Sequence, residues 1–233
     1  MRREILSALN FERETRRAAI VMTDLESGEQ EFIPAADAGK HRLAPHLLER
    51  LRLGKSGRVE IDGRDLFLLV QIPHRRLIVV GAVHISQALA PMAKLADIEM
   101  IIVDPRTAFA TPDRFPDVDL IPEWPQDVLP RLRLDAFTGL AALTHDPKID
   151  DPALMAALRS ECFYIGALGS RKTHGKRLDR LRGEGFSEAQ LSAIHAPIGL
   201  DIGAVHPAEI AVSILAEMIA VMGRKPLRSA KAA

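Results

Sequence analysis

From residue 77 onward, short apolar runs alternate with segments of helical spacing, and no other feature of the sequence constrains the fold as strongly. The first run, residues 77–82 (LIVVGA), is rich in β-branched residues, as expected of a strand buried on both faces. Alternating strands and helices predict right-handed βαβ units and a parallel sheet. Four further strands are predicted, at residues 100–103, 119–121, 139–144 and 162–166. Four helices are predicted, at residues 87–96, 126–132, 152–159 and 207–222.

The chain before this region has a different pattern, typical of a small α+β domain. A strand is predicted at residues 18–25, a helix at 41–53 that ends at Gly54, and a hairpin at 58–72 around Asp62-Gly63. We therefore predict an α/β protein with a Rossmann-like parallel sheet flanked by helices and a small N-terminal α+β domain. The predicted domains are residues 1–73 and 74–223, followed by a basic, disordered tail at 224–233.

Charge and composition argue against several partners. Lys plus Arg and Asp plus Glu both total 31, so no net field attracts the chain to nucleic acid or anionic lipid. Aromatic residues make up only 4% and do not interleave with a basic stripe, which disfavours nucleic-acid binding. No apolar run approaches the roughly 20 residues that span a bilayer. With one cysteine and no secretory signal pattern, we expect a cytoplasmic protein that binds no membrane.

The turn after the first strand has the outline of a dinucleotide-binding fingerprint, with pieces missing. Gly81 follows the strand, a helix follows Gly81, and Asp104 comes 23 positions later. Val83 and Ser86 stand where the second and third glycines are needed, which makes tight NAD(P) binding doubtful. We retain as candidates for cofactor contact Gly81, His84, Asp104 and Arg106. The alternatives are that His84 caps the turn and that Asp104 and Arg106 form a salt bridge.

The turn at residues 164–174 (YIGALGSRKTH) is the better candidate for binding an anion. The strand ends near two glycines, and Ser170 is placed to cap a helix whose N-terminal amides and dipole favour a phosphate. We predict ligand contact for Gly166, Gly169, Ser170 and Arg171. The basic residues farther along this helix are expected to form a solvated face; these are Lys176, Arg180 and Arg182. The spacing of a P-loop is absent, so ATP hydrolysis is not indicated.

Two further segments are expected near this site. His145 with Asp146 ends a predicted strand, where it could orient a bound ligand or act as an acid or base. His195 and Asp201 belong to a glycine-rich loop that could close over the site, or could serve only turn formation. No pair of residues has metal-ligand spacing, so we predict no metal site. No catalytic arrangement of side chains is recognisable.

The sequence resembles the xanthine dehydrogenase accessory protein family, XdhC/CoxI, over residues 77–222. The resemblance is carried by residues 163–174 (FYIGALGSRKTH), 195–203 (HAPIGLDIG), 207–214 (PAEIAVSI), 144–146 (THD) and 103–106 (VDPR). It implies a C-terminal Rossmann-like domain and a homodimeric chaperone. Such a chaperone binds molybdenum cofactor of the molybdopterin type as cargo and helps to insert it into an apo-enzyme. The apo-enzyme would be a molybdenum hydroxylase of the xanthine or carbon monoxide dehydrogenase type.

The sequence departs from the family pattern in two places. Its first turn reads GAVHIS instead of a G-x-G-H-x-G-like sequence, and no cysteine precedes Cys162, so the family's N-terminal cysteine motif is missing. Cys162 itself enters a predicted strand and is expected to be a buried, inert thiol. We therefore predict a short variant of the family that acts as a cofactor-insertion chaperone rather than an enzyme. The alternatives are an NAD(P)-binding oxidoreductase and a ligand-free dimeric assembly scaffold.

Overall fold

The computed structural model describes residues 1–224 and divides them into two compact units, Met1–Pro73 and His74–Arg224. The basic tail predicted from residue 224 lies outside the described residues, apart from Arg224 itself, which ends the last helix. No helix within the described range is long and apolar enough to span a bilayer.

The N-terminal unit is a four-stranded antiparallel sheet with helices. Its elements are α1 (Arg3–Glu14), β1 (Ala19–Asp24), β2 (Gln30–Pro34), α2 (Ala35–Ala38), α3 (Ala44–Leu53), β3 (Gly57–Ile61) and β4 (Arg64–Gln71). The strand order is β2-β1-β4-β3. The predicted hairpin and helix are present, and Gly54 ends α3 in the left-handed conformation. The sequence analysis missed α1 and β2, which have few buried apolar positions to produce a periodic pattern.

The second unit contains a parallel sheet with the strand order β10-β9-β8-β5-β6-β7. The strands are β5 (Arg76–Val80), β6 (Glu99–Val103), β7 (Asp119–Ile121), β8 (Thr138–Ala142), β9 (Tyr164–Ala167) and β10 (Ile194–His195). The helices are α4 (His84–Leu95), α5 (Pro125–Leu132), α6 (Pro147–Leu158), α7 (Arg171–Gly183), α8 (Glu188–Leu191) and α9 (Pro207–Arg224). This is the doubly wound Rossmann order, and it confirms the predicted fold class.

Helices cover both faces of this sheet, which explains why its strands are continuous apolar runs. One face contacts α5, α6 and α7 through residues such as Val128, Leu154 and Leu181. The opposite face contacts α4 and α9 through residues such as Leu89 and Ile214. Every residue of β5 and β8 is buried. The chain changes face at β5, so a crevice is expected at the carboxyl ends of β5 and β8.

Helix α6 begins five residues earlier than predicted. The prediction placed its start at Pro152, where the helical pattern of the sequence begins. In the structure Asp146 caps the helix by accepting a hydrogen bond from the Lys148 amide (2.9 Å), and Pro147 occupies the first turn. Pro152 lies inside the helix. The residues between 147 and 152 therefore belong to a helix that starts at the ligand-facing edge of the sheet.

Candidate functional site

Three loops meet at the carboxyl edge of the parallel sheet, and they follow β5, β8 and β9. A Cβ atom built on Gly81 would lie 3.0 Å from Cγ2 of Thr144, so the first and second loops are in contact. A Cβ atom on Gly169 would lie 3.8 Å from Nδ1 of His145, so the second and third loops are also neighbours. The fold thus brings the predicted site residues Gly81, His145 and Gly169 to one edge.

The backbone amides at the start of the first loop all donate hydrogen bonds to acceptors within the protein. The Gly81 amide donates to the Val103 carbonyl (3.0 Å), and the Ala82 amide donates to Oδ2 of Asp104 (2.7 Å). The Val83 amide donates to the hydroxyl of the buried Ser86 (2.8 Å), and that hydroxyl donates in turn to the Gly81 carbonyl (2.7 Å). Because all three amides have internal acceptors, the turn offers little to a pyrophosphate. His84 is exposed in the first turn of α4.

Asp104 and Arg106 form a salt bridge, which was one of the two alternatives for this pair. Asp104 is fully buried, and its carboxylate accepts from Nε (2.9 Å), Nη2 (2.7 Å) and the amide of Arg106 (2.9 Å), as well as from Ala82. Burial by itself would raise the pKa of Asp104, but the hydrogen bonds from Arg106 and Ala82 hold this pKa below its ordinary value. The expected ligand contact by Asp104 is therefore corrected, since its oxygens are already saturated. Arg106 remains one-third exposed.

The third loop has the features of an anion site. Gly169 has a φ of +131°, which a residue with a side chain rarely adopts. Ser170 caps α7 as predicted, since its hydroxyl accepts from the Thr173 amide (3.2 Å). Ser170 and Arg171 are exposed. The first amides of a helix have no partner within the helix, so the start of α7 presents N–H donors and a positive dipole end at this edge.

Gly166 has a packing role instead of the expected ligand contact. It lies within β9 and is buried. A Cβ atom at this position would come within 2.5 Å of Cδ1 of Ile198 and 2.8 Å of the Tyr164 hydroxyl. The absence of a side chain at residue 166 leaves room for the side chain of Ile198, which follows β10.

The loop after β8 is held by a carboxylate that the sequence analysis did not single out. Asp150, which is 1% exposed, accepts from the Thr144 hydroxyl (2.7 Å), the Thr144 amide (3.2 Å) and the His145 amide (3.1 Å). Burial raises the pKa of Asp150, although these hydrogen bonds act in the opposite direction. His145 has a φ of +65°, which is uncommon for a residue other than glycine. Asp150 thus maintains His145 in an exposed position at the edge.

A cavity of about 250 Å³ lies between the starts of α6 and α7. It is lined by His145, Pro147, Asp150, Asp151, Lys172, Thr173, Lys176, Arg177 and Arg180. Lys172 and Thr173, in the first turn of α7, belong to this lining. Most of its lining is ionisable, so it suits a small charged group better than an apolar one.

Arg177 is the buried cation of this cavity. Its side chain is only 3% exposed, and Nη2 donates to the Leu168 carbonyl (2.9 Å) and lies 4.0 Å from Asp150. The remaining nitrogens, Nε and Nη1, have no hydrogen-bond partner among residues 1–224. Helical periodicity indicates that residue 177 faces the protein interior. The sequence near it does not show which groups the buried arginine contacts.

The loop that contains Asp201 is anchored to α9. Nδ1 of His195 lies 3.1 Å from Oε1 of Glu217 in α9. The carboxylate of Glu217 also accepts hydrogen bonds from the Tyr164 hydroxyl (2.6 Å) and the Gly199 amide (2.9 Å). Asp201 is exposed and does not line the cavity. Asp201 thus lies outside the lining of the cavity, and its contact with a ligand stays a prediction.

Residues 1–224 provide neither a cluster of metal ligands nor an exposed thiol. No group of three or more His, Cys, Asp or Glu side chains in the described part of the chain could hold a metal ion. Cys162 is 5% exposed, and burial raises the pKa of its thiol to about 11. This confirms the prediction that Cys162 is buried.

The strand order and the ligand-facing loops place the second unit in the Rossmann class of α/β proteins. Within that class, the chain belongs to the XdhC family, since the model of the XdhC Rossmann domain matches residues 77–218.

Several known proteins are similar to this chain. It is 30% identical over 173 residues to the uncharacterized protein YqeB of Escherichia coli, a match that covers 70% of this chain and 30% of YqeB. It is 38% identical over 89 residues to the molybdenum cofactor insertion chaperone PaoD of Escherichia coli, covering 38% of this chain and 28% of PaoD. It is 33% identical over 156 residues to a probable xanthine dehydrogenase subunit of Bacillus subtilis, covering 66% of this chain and 45% of that protein.

A solved structure agrees with the fold. The crystal structure of a protein from Bacillus halodurans, described as a xanthine dehydrogenase, superimposes with a TM-score of 0.64 at 26% identity. The match covers 96% of this chain and 65% of that one. The chain spans between 28% and 45% of the length of the three curated relatives named above.

Proposed function

We propose that this chain is an accessory protein for the maturation of a molybdenum hydroxylase, and that it binds molybdenum cofactor as cargo and aids its insertion. The observation that carries the proposal is the start of α7. There a glycine in a left-handed conformation and a serine cap present helix amides beside a cationic cavity at the ligand edge of the sheet. The phosphate of the pterin would bind to Gly169, Ser170 and Arg171.

The names of two relatives support this proposal. PaoD is described as a molybdenum cofactor insertion chaperone, and the Bacillus subtilis relative as a probable xanthine dehydrogenase subunit. The partner of this chain would accordingly be the apo-enzyme of a molybdenum hydroxylase. His145 lies beside Gly169 and could orient the pterin, while Gly81 and His84 lie on the neighbouring loop.

The geometry of the first turn weighs against the alternative of an NAD(P)-dependent oxidoreductase. The amides that would hold a pyrophosphate already have acceptors, and the acidic residue that would hold a ribose is paired with Arg106. A titration with NADH separates the two functions. Binding with a sub-millimolar dissociation constant would favour the oxidoreductase, whereas the chaperone is expected to bind NADH more weakly or not at all.

We further propose that the chain acts as a homodimer in the cytoplasm. Exposed apolar side chains occur on α9 and on the loop before it, at Leu200, Ile202, Val205, Val212 and Ile219. Such side chains favour a protein contact, with a second copy or with the apo-enzyme. Light scattering of the purified full chain would determine the oligomeric state.

The decisive test is to purify the protein from cells that make the cofactor and to measure bound pterin by fluorescence and mass spectrometry. The wild type is expected to carry the pterin. Replacing Ser170 and Arg171 together by Ala should reduce the bound fraction about tenfold or more, because charge-assisted hydrogen bonds to phosphate are lost.

The matched control is Arg182→Ala, at the far end of the same helix, where Arg182 pairs with Asp179 and Glu188. It should retain the wild-type content of pterin. A wild-type protein without pterin, together with normal molybdenum content of the partner when Ser170 and Arg171 are replaced, would instead indicate a ligand-free scaffold.

A further inference from the structure

Helix α7 leaves buried polar atoms without partners on the side that faces the cavity. Nε and Nη1 of Arg177, which lines the cavity, have no hydrogen-bond partner among the described residues. Asp150 lies 4.0 Å from the guanidinium, but its carboxylate already accepts three hydrogen bonds from Thr144 and His145. Buried charged groups are normally paired and hydrogen-bonded, so this arrangement points to a missing anionic partner.

The charges around the cavity are unbalanced. Its lining holds four cations, Lys172, Lys176, Arg177 and Arg180, and two carboxylates, Asp150 and Asp151. Arg180 donates two hydrogen bonds to Asp151, at 2.5 Å and 3.0 Å, and Arg177 faces Asp150. The two lysines form no ion pair within residues 1–224, which leaves an excess of two positive charges.

The two lysines also lie close to each other and to the start of the helix. Lys172 and Lys176 are four positions apart in α7, a spacing at which like charges repel each other on a helix surface. Lys172 belongs to the first turn, where the helix dipole favours an anion. A volume of 250 Å³ is several times the share of one water molecule, about 30 Å³, and accommodates a tetrahedral oxyanion.

We infer that this cavity is a binding site for a phosphate dianion, in which Lys172 and Lys176 contact the oxygens and Arg177 supplies the buried positive charge beneath them. The inference rests on the proposed function for the source of the phosphate, which would be the phosphoryl group of the pterin. It adds to that function specific roles for Lys172, Lys176 and Arg177, of which Lys176 was expected from the sequence to lie on a solvated face.

The test is a calorimetric titration of the full chain with inorganic phosphate, with chloride at matched ionic strength as the reference. We expect saturable binding of one phosphate per chain. Lys176→Ala should raise the dissociation constant about tenfold, as expected for the loss of a charged hydrogen bond. Lys176 is exposed, so this variant is expected to fold. Arg177→Lys, which preserves the charge but not the planar fork, should also weaken binding.

Arg182→Ala serves as the matched control, because it removes one positive charge from the same helix outside the cavity. It should leave the dissociation constant for phosphate unchanged. The inference is overturned if phosphate has no effect beyond that of chloride, or if Lys176→Ala and Arg182→Ala weaken binding equally, since a diffuse positive field would then explain the result.

A second measurement separates this inference from the proposed function. Protein from cofactor-producing cells is analysed for pterin, in the wild type and in Lys176→Ala. Phosphate binding without any pterin would support the cavity site and contradict the proposed function. Bound pterin that is unaffected by Lys176→Ala, in a protein that does not bind phosphate, would contradict the cavity site and leave the proposed function standing.

Discussion

Gly166 and Gly169 lie three residues apart, and the fold uses them for different purposes. Gly169 has a backbone conformation that disfavours a side chain, at the edge where the loops meet. Gly166 has ordinary strand geometry but lies against Ile198 and Tyr164. From the sequence both were expected to contact a ligand, since the local pattern does not reveal which side chains pack against a strand.

Gly166→Ala is expected to destabilise the protein by about 1–3 kcal/mol, because the added methyl group overpacks the site against Ile198. Urea denaturation measures the change. The matched control is Gly175→Ala within α7, where a Cβ atom meets nothing within 4 Å. It should stabilise the protein by about 0.5–1 kcal/mol. Equal stability of the two variants would contradict the packing role.

Cys162 is expected to be unreactive in the folded protein. Its thiol is buried and has a pKa raised to about 11, so hardly any thiolate is present at pH 8. A thiol reagent at pH 8 should modify it slowly in buffer and rapidly in denaturant. Fast modification of the folded protein would show that the segment before β9 opens readily and exposes the thiol.

At the scale of elements, the polar residues on one side of α9 have different roles along the helix. The sequence places Glu209, Ser213 and Glu217 on one stripe, at spacings of four residues. Glu209 accepts from the amides of Val205 and His206 at the start of the helix. Ser213 is buried, and Glu217 holds the chain after β10.

Glu217→Ala should destabilise the protein by about 2 kcal/mol or more, because it leaves the Tyr164 hydroxyl and the Gly199 amide without their acceptor. Glu217→Gln retains one oxygen and should cost less than half as much. Hydrogen exchange of the Gly199 amide provides a local readout, and it should accelerate in the Ala variant. Unchanged exchange would show that Glu217 does not anchor this loop.

Glu209 predicts a pH dependence of stability. The amides of Val205 and His206 hold the pKa of Glu209 below its ordinary value of 4.5. Because this pKa is lower in the folded than in the unfolded protein, the ionised Glu209 stabilises the folded state at pH values above the unfolded pKa. This contribution to the free energy of unfolding is lost as the pH falls below about 4.5. Glu209→Gln should therefore reduce the difference in unfolding free energy between pH 7 and pH 3.5. An identical difference in the variant would exclude this contribution.

At the scale of the whole molecule, the second unit contains its own cores. Both apolar clusters, one on each face of the parallel sheet, are formed entirely by residues between 77 and 222. We expect a fragment of residues 74–224 to fold and to unfold cooperatively in urea, as followed by circular dichroism. A fragment of residues 74–206 lacks α9, with Ala211, Ile214 and Met218 of one core, and should not fold. If the longer fragment is also unfolded, the unit depends on the preceding residues.

The sequence by itself determined the α/β class, most of the strands and helices, and the capped helix start after Gly169. These features depend on local properties of the chain. They are the periodicity of apolar residues, the content of β-branched residues, and capping side chains that lie within three positions of the amides they bind. The family resemblance adds the proposed cargo, but it does not show which side chains meet.

Only the tertiary structure decided which polar groups are occupied. Asp104 is saturated by Arg106 and by an amide 22 residues away, and Arg177 is buried beneath a loop nine residues before it. The amides of the first turn therefore already have acceptors, whereas the first amides of α7 are available to a ligand. In the sequence, both turns have features of an anion site. The physical reason is that hydrogen-bond saturation depends on distances across the sheet edge, which spacing along the chain does not encode.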